Sequence, residues 1–339
     1  MISSELTVGL IGAGRIGKLH AEHLHGRIPR ANLKMVADID ENAAKQCAAH
    51  VGACDASTDY REVLDHPDIQ AVVICSSTDT HARLIEEAAA VGKHIFCEKP
   101  IDHDLDRIDR ALAAIERAGV LLQIGFNRRF DANFRRVKEA VESGEIGTPH
   151  LMHIISRDPA PPPIEYIEKS GGLFLDMTIH DLDMSRFLVS SEVDEIYAAG
   201  AVRVDPAIGA AGDLDTSVIV LKFANGVIGT IDNSRQAVYG YDQRVEVFGS
   251  GGSVSSGNNY PNAATIRGRE SVYRDLPLNF FIERYTDSYL EEMTQFVDAV
   301  LTGGPSPLDG AEGRIPVVMA RAAWKSFQEN RPVKLAEIN

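Results

Sequence analysis

The chain has 339 residues, too many for one ordinary core and enough for two domains of common size. Its formal net charge of -15 argues against a nucleic-acid partner, whose binding draws on clustered Lys and Arg; a neutral substrate is indifferent to that charge. With 44% apolar and 24% charged residues and no low-complexity tract, the chain can bury a core, and no apolar run approaches the roughly 20 residues of a membrane span.

The start, MISSELTVGLIGAG, has no basic stretch followed by a long apolar one, so a cytoplasmic protein without a membrane partner is expected. Cys47, Cys54, Cys75 and Cys97 contain no CxxC pair, which speaks against a disulfide framework or a zinc knuckle. Up to Gly125, short apolar runs alternate with amphipathic stretches. The expected strands are Leu6–Ile11, Leu33–Ala37, Ala71–Cys75, His94–Cys97 and Leu121–Gly125. The expected helices are Ile16–His25, Asn42–His50, His81–Val91 and Leu105–Ala118. Parallel strands need such crossovers, so residues 1–125 predict an α/β domain of the Rossmann kind, a doubly wound parallel sheet.

After Gly125 the rhythm changes. A helix around Asp131–Ser143, a strand at His150–Arg157 and the Pro-rich turn Pro159–Pro163 open a second domain, 126–339. From Val193 to Asp275 the chain reads as strands of alternating polarity, including Ser217–Phe223, Val227–Asp232 and Arg244–Phe248, broken by turns such as Asn225-Gly226. An α+β domain with a large, mostly antiparallel open sheet is expected, closed by helices at Tyr285–Leu301 and Ala311–Glu329. Internal repeats are absent. A sheet face without helices is commonly buried against another subunit, so a homo-oligomer is expected.

Gly12-Ala13-Gly14-Arg15-Ile16-Gly17 follows a strand and opens a helix, where glycines permit a tight turn and let a pyrophosphate approach backbone N–H groups. Alone, the pattern also fits an ordinary strand-to-helix turn. Asp38, with Ile39 beside it, ends the second strand 21 residues after Gly17, where an acid meets the adenosine ribose. Its carboxylate would repel the 2′-phosphate of NADP, and no Arg follows to rescue it, so NAD is the expected cofactor. The loop Ser76-Ser77-Thr78-Asp79-Thr80-His81 follows another strand and belongs at the same sheet edge; Ser76, Thr78 and His81 either border the nicotinamide or simply cap the helix.

Glu98-Lys99-Pro100 ends the fourth expected strand, placing Glu98 and Lys99 at the cofactor edge. An ammonium there can stabilise an alkoxide as a secondary alcohol is oxidised; the plain alternative is a surface lysine. Within Gly171-Gly172-Leu173-Phe174-Leu175-Asp176-Met177-Thr178-Ile179-His180, Asp176 and His180 are four apart and share one side of a helix. His180 can take a hydroxyl proton while Asp176 orients the imidazole or a substrate hydroxyl. A capped helix with a satisfied histidine, or a two-ligand metal site, are the other readings. Clustered further His or Cys are missing, and no metal is expected.

The segments GAGRIG, CEKPID and GGLFLDMTIHDLDMSRFL together resemble the glucose-fructose oxidoreductase, inositol dehydrogenase and rhizopine-catabolism family over essentially the whole chain. The resemblance implies a catalytic trio of Lys99, Asp176 and His180, with His180 as base, and an oligomer, often a tetramer. DMTIHDLDM, VDPAIGAAGDLDT and NSRQAVYGYDQRVEVFG resemble the inositol 2-dehydrogenases within it. That implies NAD-dependent oxidation of myo-inositol, with Asn127, Arg128, Asp158 and Tyr241 around the polyol. Asp158 stands where some of these enzymes carry Asn, and Met177 where some carry a small hydroxyl residue. A relative acting on scyllo-inositol or an aldose would keep every reacting group, whereas a non-catalytic dinucleotide sensor would have no need of the trio.

Overall fold

The computed structural model describes residues 5–52 and 54–338, which divide into two units: Met1–Asn127 with Asp287–Ile315, and Arg128–Thr286 with Pro316–Asn339. In the first unit the order is β1 (Leu6–Ile11), α1 (Arg15–Glu22), β2 (Ala31–Ala37), α2 (Glu41–Val51), β3 (Asp55–Ser57), α3 (Tyr60–Asp65), β4 (Ala71–Ile74), α4 (Thr78–Ala90), β5 (His94–Glu98), α5 (Leu105–Ala118) and β6 (Leu122–Gly125). The strands pair in parallel in the order β3-β2-β1-β4-β5-β6. The order reverses between β1 and β4, and at such a switch point the loops leaving the strands open a crevice at the carboxyl edge.

Local chemistry explains the helix limits. Asp40 accepts from the backbone N–H groups of Asn42 and Ala43 at the start of α2, and Asp104 from that of Arg107 at the start of α5; Gly52 and Gly119 end both helices in left-handed geometry. Helices on both faces leave the strands apolar throughout, as Ala71–Ile74 shows. Leu6, Val8, Leu10, Val73 and Phe96 pack with Met293, Phe296, Val297 and Leu301 in one core. The chain therefore returns to this unit, and the boundary expected after Gly125 misses residues 287–315. Their apolar face is needed to cover the sheet.

The second unit holds α6 (Ala132–Glu142), β7 (Pro149–Arg157), α7 (Ile164–Ser170), a π-helical turn (Phe174–Thr178) running into α8 (Ile179–Val189), β8 (Val193–Ala201), α9 (Pro206–Ala210), β9 (Thr216–Phe223), β10 (Ile228–Ser234), β11 (Asp242–Gly249), β12 (Gly252–Ser256) and the small hairpin of β13 (Ile266–Arg267) and β14 (Val272–Tyr273). Then come α10 (Phe281–Thr302), α11 (Gly310–Glu329) and β15 (Val333–Lys334). The main sheet runs β12-β11-β7-β10-β9-β8-β15, antiparallel except for β7 against β10. The long connection through α7, α8, β8, α9 and β9 lets β10 return in the direction of β7. Strand alternation buries Ile219, Leu221, Ile231, Val245 and Val247 and leaves Leu151, Val218, Ile228 and Phe248 exposed on the other face.

Candidate active site

In the first unit, the glycine turn joins β1 to α1. Gly12 has φ +99°, and a Cβ there would stand 2.5 Å from the Cys75 carbonyl carbon and the Ser76 nitrogen. A Cβ on Gly17 would strike the Gly12 carbonyl oxygen, so both positions hold the turn against the neighbouring loop. Gly14 faces open space, and no side chain caps α1. The first N–H groups of the helix are thus left for a pyrophosphate, and the exposed Arg15 and half-buried Ile16 follow directly. Asp38 Oδ2 accepts from the Ala13 N–H (2.7 Å) and Oδ1 from the Asp40 N–H (2.9 Å), which fixes the carboxylate beside the turn with lone pairs to spare for ribose hydroxyls. Ile39 is 95% exposed. These features fit a bound dinucleotide.

The loop after β4 is tied inward. Ser76 Oγ lies 2.6 Å from Thr80 Oγ1, and His81, buried, has Nδ1 2.8 Å from the Pro100 carbonyl and Nε2 3.0 Å from the Ser76 carbonyl. Burial lowers the His81 pKa. Within this unit the ring therefore bridges the Ser76 loop to the segment carrying Lys99, and Thr78 begins α4. Lys99 is half-buried directly after β5, joined to Pro100 by a cis peptide. Glu98 points inward to His20, with Oε1 2.9 Å from Nε2.

Sequence reasoning missed what surrounds that pair. Glu292 on α10 is completely buried, and neither of its carboxyl oxygens has a protein hydrogen-bond partner among the described residues, although its backbone carbonyl accepts from Gln123 Nε2 (2.9 Å). Burial, and then the charge of Glu98, raise its pKa well above the carboxylate range, so it is held as the neutral acid. His20, Cys75 and Glu98 bring ligand-type atoms within 4.8 Å of one another. Burial raises the Cys75 thiol well above its usual range, which disfavours the thiolate that a metal would require.

In the second unit, Asp176 and His180 do not share one regular helix as their spacing suggested. Asp176 lies in the π-helical turn and His180 in α8, both half-buried. The wider winding alters the angle that a four-residue step subtends. Tyr166 donates to Asp176 Oδ1 (2.8 Å) and Arg235 Nη1 to Asp176 Oδ2 (3.1 Å), while Arg235 Nη2 lies 3.4 Å from Asp213 Oδ2. Beside His180, Asp181 is buried and takes bonds from Arg128 Nη1 (2.5 Å) and Asn233 Nδ2 (2.8 Å); Thr178 donates to Asn233 Oδ1 (2.8 Å).

The residues expected around a polyol fall differently. Arg128 and Tyr241 are 5% and 7% exposed and joined Nη2 to OH at 3.4 Å. Burial raises the Tyr241 phenol well above its usual range and keeps it neutral. Asp158 is half-buried at the end of β7, its backbone bonded to Ser234 and Ala237. Burial, and then the Asp176 charge, push its carboxyl up to about 7 against the pull of Arg235 and Arg128. Asn127, the last residue of the first unit before its returning segment, is buried with Nδ2 lacking a protein partner among the described residues.

A glycine turn on an uncapped helix, an acid at the end of β2 and a lysine at the carboxyl edge of β5 define a dinucleotide-dependent oxidoreductase. Residues 6–126 match the model described as "Oxidoreductase family, NAD-binding Rossmann fold", and 134–255 match the "GFO/IDH/MocA C-terminal domain". The chain is 49% identical to "Uncharacterized oxidoreductase YrbE" of Bacillus subtilis, covering 98% of both chains. It is 47% identical to "Myo-inositol 2-dehydrogenase" of Thermotoga maritima, covering 98% of this chain and 99% of that one. A crystal structure of a probable dehydrogenase from Thermotoga maritima superposes with a TM-score of 0.97 at 47% identity, covering 98% of this chain and all of the other. The chain belongs to the GFO/IDH/MocA family of oxidoreductases, and its cofactor is NAD. No described helix is long and apolar enough to cross a membrane.

Proposed function

We propose that this protein oxidises myo-inositol to 2-keto-myo-inositol, scyllo-inosose. The observation that carries the reading is near-complete coverage at 47% identity with a protein named for that activity. Held at the glycine turn and Asp38, NAD would supply the acceptor for the hydride that leaves the carbinol carbon. His180 takes the hydroxyl proton, the Lys99 ammonium stabilises the alkoxide as it forms, and Asp176 orients the reacting group. Asp38 holds the adenosine ribose, and Ile39, Ser76, Thr78, His81 and Glu98 complete the cofactor side. Asn127, with its spare Nδ2 donor, and Asp158, Arg128 and Tyr241 supply the contacts to the ring hydroxyls.

The exposed apolar residues Leu151, Val218, Ile228 and Phe248 on the open sheet face support a homotetramer, which light scattering would weigh. Dependence on the intracellular NAD pool supports a cytoplasmic location, which fractionation would check. The experiment that tests the function is the initial rate of NAD reduction over a panel of inositol isomers and aldoses. Highest kcat/KM with myo-inositol is expected. A clear preference for scyllo-inositol or an aldose moves the assignment within the family, and no reduction with any of them ends it.

A further inference from the structure

Arg235 is 1% exposed and is among the largest fully buried side chains of the described residues. It sits just after β10, where its backbone N–H donates to the Asp215 carbonyl (2.8 Å). Nη1 reaches Asp176 and Nη2 reaches Asp213, while Nε has no protein partner among the described residues. Asp213 is itself pinned. Its Oδ1 accepts from the Leu173 N–H (2.9 Å), and a Cβ on Gly172, whose φ is +81°, would come within 2.7 Å of that oxygen. One carboxylate thus holds both the backbone that opens the Asp176 turn and the guanidinium that grips the Asp176 side chain.

We propose that Arg235, anchored by Asp213, is a positioning residue of the reaction: it fixes the orientation of Asp176 and offsets the joint charge of Asp176 and Asp158. This rests on the reading of Asp176 given above. The geometry leaves Asp176 little freedom, since Tyr166 takes Oδ1 and Arg235 takes Oδ2. It also gives the GAAGDLDT segment a purpose, because Asp213 belongs to it and lies far in sequence from the helix it secures. Besides burial, which raises its pKa most, the charges that act on Asp158 are Asp176 and Asp181, which raise it, and Arg235 and Arg128, which lower it; Tyr166 and Tyr241 also feel its charge. With Asp158 at about 7, removing Arg235 moves its titration to higher pH.

The test measures kcat and KM for myo-inositol from pH 5 to 10, with NAD affinity by calorimetry, in Arg235→Met, Arg235→Lys, Asp213→Asn and Asp176→Asn. Arg235→Met is expected to lose roughly 10- to 100-fold in kcat/KM, as for a charged hydrogen bond, and to shift the limb near neutrality to higher pH. Arg235→Lys should return the limb towards the parent position, because the charge is back, but recover only part of kcat/KM. NAD affinity should stay within about twofold in every variant, since the cofactor turn belongs to the other unit. The shift should vanish in Arg235→Met paired with Asp158→Asn, a change that a merely structural role would not produce. Parent kcat/KM and parent pH profile in Arg235→Met overturn the proposal. If that variant does not fold, parent behaviour in both Arg235→Lys and Asp213→Asn overturns it equally. Normal turnover in Asp176→Asn instead overturns the reading of Asp176, and with it the reason for positioning that residue.

Discussion

Replacing Asp38 should change which nicotinamide cofactor the enzyme accepts. A phosphate on the 2′ oxygen would stand about 4 Å from the carboxylate, and at an effective dielectric near 20 each charge pair costs about 4 kcal/mol. Asp38 is half-buried, so water and salt reduce this to about 2–3 kcal/mol, a preference for NAD of about 30- to 150-fold in kcat/KM. Asp38→Asn removes the charge but keeps an oxygen for the Ala13 or Asp40 N–H, so the preference should collapse while the KM for NAD changes little. Asp38→Ala also leaves both N–H groups without their acceptor, and the KM for NAD should rise roughly tenfold as the glycine turn loosens. Steady-state rates with NAD and NADP on all three proteins, with a thermal melt to verify folding, decide the matter. Equal efficiency with both cofactors in the parent, or the parent's preference retained in Asp38→Asn, would refute the electrostatic argument.

His180→Ala should lower turnover by roughly 10² or more with NAD affinity unchanged, and Lys99→Ala should lower turnover in a way that added base cannot restore; near-normal rates in both would end the proposed chemistry. In the parent, oxidation should speed up as pH rises through the ionisation of the base. Glu292 predicts a pH-dependent stability. Its folded pKa is raised, so its contribution is full below the unfolded pKa of about 4.5 and is lost as pH rises towards the folded value. Relative to the parent, Glu292→Gln should therefore gain stability at up to about 1.4 kcal/mol per pH unit above that point, and a stability difference flat between pH 5 and 9 would contradict the buried neutral acid.

Much of the fold was legible because apolar runs and helix caps are local signals. The first sheet's five expected strands all form, whereas β3 is three residues long, with neither apolar run nor alternation to mark it. Alternating polarity marked Val227–Asp232 as a strand but could not show that it runs parallel to β7, which depends on the path between them. At the candidate site, the glycine turn, Asp38, Lys99, Asp176 and His180 could be singled out as candidates because each stands in a motif. Tyr166, Arg235, Asp213, Asn233 and Glu292 could not, since each matters through a partner distant in sequence. Asp181, Asp183 and Arg186 were the overlooked hint: three ionisable residues in a helix whose other positions are nearly all buried.

The returning segment has a consequence for how the chain is made. A ribosome releases the first six strands long before Met293, Phe296, Val297 and Leu301 exist to cover them. Residues 128–286 must be synthesised in between, which at about 5–20 residues per second takes about 10 to 30 s. For that interval the nascent nucleotide-binding sheet carries an unsealed apolar face around Leu6, Val8 and Phe96. It is then an unfinished domain, exposed to the aggregation that uncovered apolar surface invites, and its fold is completed only once residues 287–315 have been added.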